Sequence, residues 1–349
     1  MMLHFISTSD WHFEGLEKLF PTNHIDLQIA QIKRIYEHAV ENGINHVFVP
    51  GDIADVPHME WSTYIKLVTL LKAYDGHIHT YYLAGNHDFS DIKRTSLDLL
   101  QLLVDNNFFK TFHLYLQPDS TVIDEVPVTF LPYPLNSKDA ERSLNFAHIT
   151  VPGAIGDNGR VIKESEHEFE HPEKGFIISG HIHQYQHMKN QRVIYNGNPY
   201  QKNFGEALPK GFIECQSSVV KKRISVKHKQ VILKPNYRLI NKAVEEQEDL
   251  SGLSNSPYVR YKLKLAGDVV LPSDLRVQHP NIHSITDVRN KAIVLEDEDS
   301  EKSVSSVNID PIDGLKEALK DIGMAKKDIQ MAKGLVLEAL DHLKITPSK

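Results

Sequence analysis

Cysteine is almost missing from this chain: Cys215 is the only one in 349 residues. A lone thiol excludes an intramolecular disulfide framework and fits a reducing compartment, so a cytoplasmic location is expected. No apolar run approaches the ~18 residues of a membrane-spanning helix, and no membrane partner is expected. The opening residues, Met1-Met2-Leu3-His4-Phe5-Ile6, have neither the basic flank nor the apolar length of a secretion signal. An excess of basic charge is also lacking, because 39 Lys and Arg face 46 Asp and Glu for a net charge of -7. That excludes a protein that coats nucleic acid by bulk charge, and leaves open one that holds DNA in a local groove. What is present is a globular composition, 41% hydrophobic and 24% charged with 20 histidines. The length predicts one large domain plus something smaller.

Leu3 to Ser7 reads as a short buried strand that runs into Asp10-Trp11-His12. Two ligand-type side chains at i and i+2 on a strand end point to the same side, as a shared metal requires; alone, the triplet reads more readily as a polar loop. Ile25 to Asn42 carries apolar residues at the 3.6-residue period of an amphipathic helix, with Gly43 as its stop. Val47-Phe48-Val49 is the next buried strand and ends in Gly51-Asp52. A second helix over about Glu60 to Tyr74 and a strand over Ile78 to Leu83 lead into Gly85-Asn86-His87-Asp88. Asp10, Asp52 and Asn86 thus end three successive strands, and right-handed crossovers bring such ends to one edge of a sheet.

Shorter strands follow over Thr111 to Leu116, Ser120 to Asp124 and Val128 to Leu131. Leu144 to Ala147 delivers His148, and Phe176 to Ser179 delivers Gly180-His181-Ile182-His183, with imidazoles at i and i+2. His77-Ile78-His79 has the same spelling but begins its strand, at the opposite edge, and reads as structural. The selected set is Asp10, His12, Asp52, Asn86, His148, His181 and His183. Seven such ligands with one bridging carboxylate suffice for two divalent ions about 3.5 to 4 Å apart, the arrangement used for displacement at phosphorus. The mixed oxygen and nitrogen donors favour manganese over magnesium alone, and zinc or iron also fit the spacing. His87 is left over as a free imidazole able to protonate a leaving oxygen, with Asp88 to orient its ring.

Asp-x-His, Gly-Asp, Gly-Asn-His-Asp, a strand-end His and Gly-His-x-His, in that order, resemble the calcineurin-like metallophosphoesterase superfamily. Val193 to Glu206 followed by Lys210-Gly211-Phe212 resembles, more specifically, the SbcD nucleases of bacteria and phages, counterparts of the eukaryotic Mre-eleven subunit. The resemblance implies an α/β fold: a metallophosphoesterase β-sandwich flanked by helices over residues 1–215, a small α+β capping domain over 216–295 and a C-terminal helical partner-binding segment. It assigns one metal to Asp10, His12, Asp52 and His183, the other to Asp52, Asn86, His148 and His181, with His87 as the catalytic histidine. Two positions depart from the family's pattern: Ala147 stands where Gly often precedes the strand-end His, and Asp55 stands where some archaeal members carry a substrate-positioning His. The implied activity is manganese-dependent DNA cleavage, exonucleolytic or endonucleolytic, in an SbcCD-like complex. The alternative is a phosphatase or phosphodiesterase acting on a non-DNA substrate at the same site. Lys93, Arg94, Arg142, Lys202 and Lys210 are candidate DNA-backbone contacts.

Past Cys215 the composition shifts. Lys221-Lys222-Arg223 and Lys227-His228-Lys229 form a basic strand-like stretch that fits either a DNA groove or a lysine-protected edge strand. Ser256 to Leu265 alternates as a strand, Pro272 to His279 suggests a short helix, and Ile282 to Leu295 returns to strand character. Residues 296–309 form an acidic, Ser-rich linker. Asp310-Pro311 then opens an amphipathic segment over 310–345, whose seam from Ile312 to Leu343 needs either a partner or its own domain to cover it. By resemblance the partner is the coiled-coil base of an SbcC-type ATPase, and residues 60–74 and 96–106 form a homodimer contact.

Overall fold

Short strands with apolar residues on both faces demand cover on both sides, and this need builds the architecture. The computed structural model describes residues 2–56, 58–89, 97–134, 142–157, 159–164, 173–206 and 209–288. Strands β1 (Leu3–Ser7), β2 (His46–Pro50), β3 (His79–Leu83) and β4 (Phe112–Tyr115) run parallel in that order. Between them cross helices α1 (His24–Glu41), α2 (Trp61–Tyr74) and α3 (Asp98–Asp105). The second sheet holds β5 (Asp119–Ile123), β6 (Val126–Leu131), β7 (Leu144–His148), β8 (Phe176–Gly180), β9 (Gln186–Met188) and β10 (Val193–Tyr195), ordered β5-β6-β7-β8-β10-β9. The chain then returns to the first sheet as β11 (Gly211–Val220), antiparallel to β1, and its hairpin partner β12 (Arg223–Ile232).

Alternation along each strand sorts side chains between two cores. Phe5, Phe48, Tyr81 and Leu83 of the first sheet meet Phe130, Phe146, Ile178 and Ile194 of the second. Phe48 stacks flat on Phe146 across the sandwich at 4.0 Å between centroids. Ile6, Val47, Val49 and Tyr82 point the other way, against Ile32, Ile35 and Tyr36 of α1 and Leu67 and Leu71 of α2. Each such buried side chain contributes roughly 1.5 to 3 kcal/mol. The mixed α/β sandwich therefore follows from period-2 apolar patterning in strands and period-3.6 patterning in helices.

The boundary expected at 215/216 needs correction. β11 runs through it, and all ten of its residues pair with β12 in the sandwich sheet. The basic stretch forms an edge strand, with Arg223, Lys227 and Lys229 exposed on β12 at the end of the sheet. A separate sheet follows, of parallel strands β13 (Arg238–Val244), β14 (Val259–Leu265) and β15 (Ile282–Asp287), with short helices α4 (Glu248–Ser251) and α5 (Leu275–Gln278). It has its own apolar cluster, including Val244, Leu250, Leu263, Leu275 and Ile282. Among the described residues no helix is long and apolar enough to cross a membrane. The linker over 296–309 and the amphipathic segment over 310–345 lie outside the described residues.

Candidate active site

Because β1, β2 and β3 are parallel, Asp10, Asp52 and Asn86 emerge at one edge, and parallel β7 and β8 bring His148, His181 and His183 to the same edge. Strand alternation is not what aligns Asp10 with His12, however. β1 ends at Ser7, and both residues adopt left-handed backbone, with φ of 55° and 43°. Asp52 (φ 57°) and His181 (φ 80°) do the same. Such a conformation costs a non-glycine residue about 1 to 3 kcal/mol, and its clustering here marks a functional site. The loops after β1 and β2 hold one another in place: Asp10 N–H donates to the Gly51 carbonyl at 3.1 Å and His12 N–H to the Asp52 carbonyl at 3.1 Å. Two glycines make the approach possible. A Cβ on Gly51 would sit 2.1 Å from His148 Nδ1, and one on Gly85 would sit 2.1 Å from Asp52 Oδ1.

The seven side chains converge as two clusters that share Asp52. In the first, His12 Nε2 lies 3.0 Å from His183 Nε2, 3.6 Å from Asp52 Oδ2 and 4.0 Å from Asp10 Oδ1. In the second, His148 Nε2 lies 3.2 Å from the same Asp52 Oδ2, 2.9 Å from Asn86 Oδ1 and 3.2 Å from His181 Nδ1. His181 Nδ1 is also 3.0 Å from Asn86 Oδ1. Imidazole nitrogens facing one another at this separation suit two donors about 2.1 Å from a common cation. His12, Asp52, His148 and Asp10 are buried, so these donors are held away from bulk water. Ala147, the departure from the family pattern, is a buried residue of β7 and leaves His148 in the cluster.

The electrostatics fit a cation. Burial raises the Asp52 carboxyl, but His148, with His12 and His87, overrides it and holds the group ionised far below the usual carboxylate range. Burial lowers the His148 imidazole, yet the Asp52 charge beside it pushes the group up to about 9. His183 behaves alike and rises to about 10, its burial outweighed by Asp157 and Glu206. A place that stabilises a proton on each of two imidazoles stabilises a divalent ion better, and binding the ion displaces those protons. Metallophosphoesterases bind divalent metals, and the Asp10, His12, His183 and Asp10, Asp52, His148 groups have the donors for them.

The far nitrogen of each of these rings has an acceptor. His12 Nδ1 lies 3.1 Å from Asp55 Oδ1, His183 Nδ1 3.0 Å from Glu206 Oε1, and His148 Nδ1 2.9 Å from the Pro50 carbonyl. Asp55 also takes the role expected of Asp88. Its carbonyl oxygen is 3.1 Å from His87 Nδ1, and its carboxylate is paired with Lys202. Asp88 instead clasps its own loop, accepting from the Tyr82 hydroxyl and from the N–H groups of Gly85 at 2.8 Å and Asp52 at 3.1 Å. Burial and the nearby Asp52 charge push the Asp88 carboxyl up to about 7.

Asp55 and Glu206 were not among the expected site residues, and Lys202 and Lys210 were expected only as DNA-backbone contacts. The signals that point to them are the Asp three residues after Asp52 and the Phe-Gly-Glu and Lys-Gly-Phe stretches. Lys210 is buried against Glu206 and Lys202 is paired with Asp55, so neither is a free contact for DNA. Arg142 is exposed, and Lys93 and Arg94 lie outside the described residues.

No curated protein matches the chain significantly. Similar solved structures include GAP50, the anchor in the inner membrane complex of Plasmodium, with 10% identity, 66% of this chain and 84% of that chain covered, and a TM-score of 0.38. Another is a conserved protein of Streptococcus pneumoniae described as a predicted phosphoesterase, with 11% identity, 66% and 90% coverage, and a TM-score of 0.29. The family profile described as calcineurin-like phosphoesterase matches residues 3–185, just over half of the chain. That span begins with β1 and ends just past His183, so it holds all seven residues of the paired clusters, and the chain belongs to the calcineurin-like phosphoesterases, a family of metal-dependent hydrolases.

Proposed function

We propose that this chain is the manganese-dependent nuclease subunit of an SbcCD-like complex, hydrolysing phosphodiesters at DNA ends with two divalent ions. One observation carries the reading beyond the family. The stretch from Val193 to Phe212, whose sequence resembles SbcD, is built into the site: Glu206 meets His183, and Lys202 reaches Asp55 and lies 3.4 Å from His12 Nδ1. The same stretch is tied to the smaller sheet, since Gln201 exchanges two hydrogen bonds with Leu239 and Phe204 stacks on His283 at 5.4 Å. A capping role for that sheet over the substrate agrees with these ties.

Ions bound at the paired clusters would supply an activated water and offset the charge that builds at phosphorus. The protein's own contribution to bond breaking is His87. With Nδ1 directed at the Asp55 carbonyl, Nε2 is the ring nitrogen left to pass a proton to the departing sugar oxygen. Its backbone N–H donates to Asp52 Oδ1 at 3.0 Å, which fixes the ring's base beside the shared carboxylate. DNA, an SbcC-type ATPase held by residues 310–345, and a second copy met through residues 60–74 and 96–106 complete the proposal.

The test is an end-labelled linear duplex incubated with the purified chain and Mn2+, beside a phosphomonoester dye. Shortening of the duplex with little dye turnover, abolished by EDTA and restored by Mn2+, is expected. Rapid dye turnover over intact DNA would overturn the nuclease reading and move the chain to the phosphatases.

A further inference from the structure

Phe204-Gly205-Glu206 and Lys210-Gly211-Phe212 contribute no member of the two clusters, yet the Glu206 side chain is only 1% exposed. A carboxylate buried that deeply must be fully partnered. Its Oε2 accepts from Lys210 Nζ at 2.8 Å, Asn198 Nδ2 at 3.0 Å and Lys202 N–H at 3.1 Å. Its Oε1 accepts from Asn203 Nδ2 at 3.2 Å and lies 3.0 Å from His183 Nδ1. Lys210 Nζ also donates to Asn198 Oδ1 at 2.5 Å and to the His183 carbonyl at 2.9 Å, so one ammonium secures both the acid and the backbone of the histidine.

We propose that Glu206 is a positioning residue: clamped by Asn198 and Lys210, it holds the His183 ring with Nδ1–H inward and Nε2 turned to the cation shared with His12 and Asp10. A carboxylate behind an imidazole fixes its tautomer and makes its opposite nitrogen a stronger donor. His12 and His183 are backed by the carboxylates of Asp55 and Glu206, whereas His148 is backed by the neutral Pro50 carbonyl. Asp157 Oδ2 also lies 2.7 Å from His183 Nδ1, but its side chain is 32% exposed, and solvent weakens its hold.

The inference rests on the metal reading of the site and is tested without DNA. Mn2+ is titrated calorimetrically into the full chain, and anomalous diffraction at limiting Mn2+ reads the two positions separately. Glu206→Gln keeps an acceptor for His183 and removes the charge; adding Lys210→Met avoids a buried ammonium without a counter-charge. Both variants are expected to bind Mn2+ about 10- to 100-fold more weakly at the His12 and His183 position. Affinity at the Asn86, His148 and His181 position should be unchanged, as should both positions in Asp157→Asn. Unchanged affinity in both Glu206 variants, or equal loss at both positions with a lower melting temperature, would overturn the Glu206 role. Loss in Asp157→Asn alone would pass the role to Asp157. A wild-type chain that takes up no Mn2+ would overturn the metal reading as well.

Discussion

His87 is the accessible imidazole beside two buried ones: its side chain is 38% exposed against 1% for His12 and 0% for His148. A group that meets substrate needs that exposure, whereas a ligand gains from losing it. His87→Ala should lower cleavage by about 10²- to 10⁴-fold, the usual contribution of a general acid, with Mn2+ binding retained. Cleavage kinetics and a calorimetric Mn2+ titration on the same variant check this, and lost Mn2+ binding would make His87 a ligand instead. Gly51 is the other residue with a sharp requirement. Its φ of +94° and the 2.1 Å approach of His148 to any added Cβ leave no room for a side chain. Gly51→Ala should destabilise the fold by about 2 kcal/mol or more, read as a lower urea midpoint. An unchanged midpoint would mean that the loop relaxes. The Gly-Asp and Gly-Asn pairs are visible in the sequence, but not the reason for them, because His148 approaches from the end of β7 and Asp52 from the loop after β2.

At the level of elements, the parallel order of β1, β2 and β3 that gathers Asp10, Asp52 and Asn86 was legible from strand, helix and turn patterning. The left-handed turns beyond the strand ends were not: Asp and His are enriched in that region, yet it stays a minor state for them until contacts between loops, such as those of Asp10 with Gly51 and His12 with Asp52, fix it. The opposite end of the same sheet holds a histidine ladder, of which the sequence reading singled out only His79, as structural. His46, His79 and His113 start or nearly start three neighbouring strands, and His79 and His113 stack almost flat at 5.6 Å. Tyr81 stacks on His113 at 4.8 Å, and Asp124 faces His46 at 3.5 Å. Burial lowers His46 and His113 below the ordinary imidazole value of 6.5, with His79 adding to the effect and Asp124 opposing it at His46. The unfolded chain then takes up protons first as pH falls. Stability from these groups is complete above about pH 6.5 and is lost below it. The urea midpoint should drop between about pH 7.5 and about pH 5.5, and His113→Phe should lessen the drop. An equal drop in wild type and variant would assign the acid sensitivity elsewhere, for instance to the metal-site histidines.

Across the whole molecule, a net charge of -7 turns attention from bulk attraction to local construction. The smaller sheet is joined to the sandwich through Gln201, Phe204 and Arg260, whose guanidinium donates to the Leu19 carbonyl at 2.7 Å and covers the Phe20 ring. Those ties begin a few residues from Glu206, so the sheet and the site share one loop. The proposed ATPase partner is tested at this scale: a chain ending at Asp299 should fail to capture an SbcC-type ATPase in a pull-down while keeping its Mn2+ binding. Full capture by the shortened chain would remove the partner role from residues 310–345.

Sequence alone determined the order of elements over the matched family domain and the identities of the seven clustered residues. Both are written locally, in apolar period and in polar residues at strand ends. It did not reveal where the sandwich ends, because a β-hairpin such as β11 and β12 is assigned to a sheet only by the strand it pairs with, here β1. Nor did it reveal that Asp55 rather than Asp88 attends His87, or that Glu206 and Lys210 stand behind His183. Those contacts join positions far apart in the chain: the parallel pairing of β2 with β3 brings Asp55 to His87, and the return of the chain from β10 to the first sheet brings Glu206 and Lys210 behind His183.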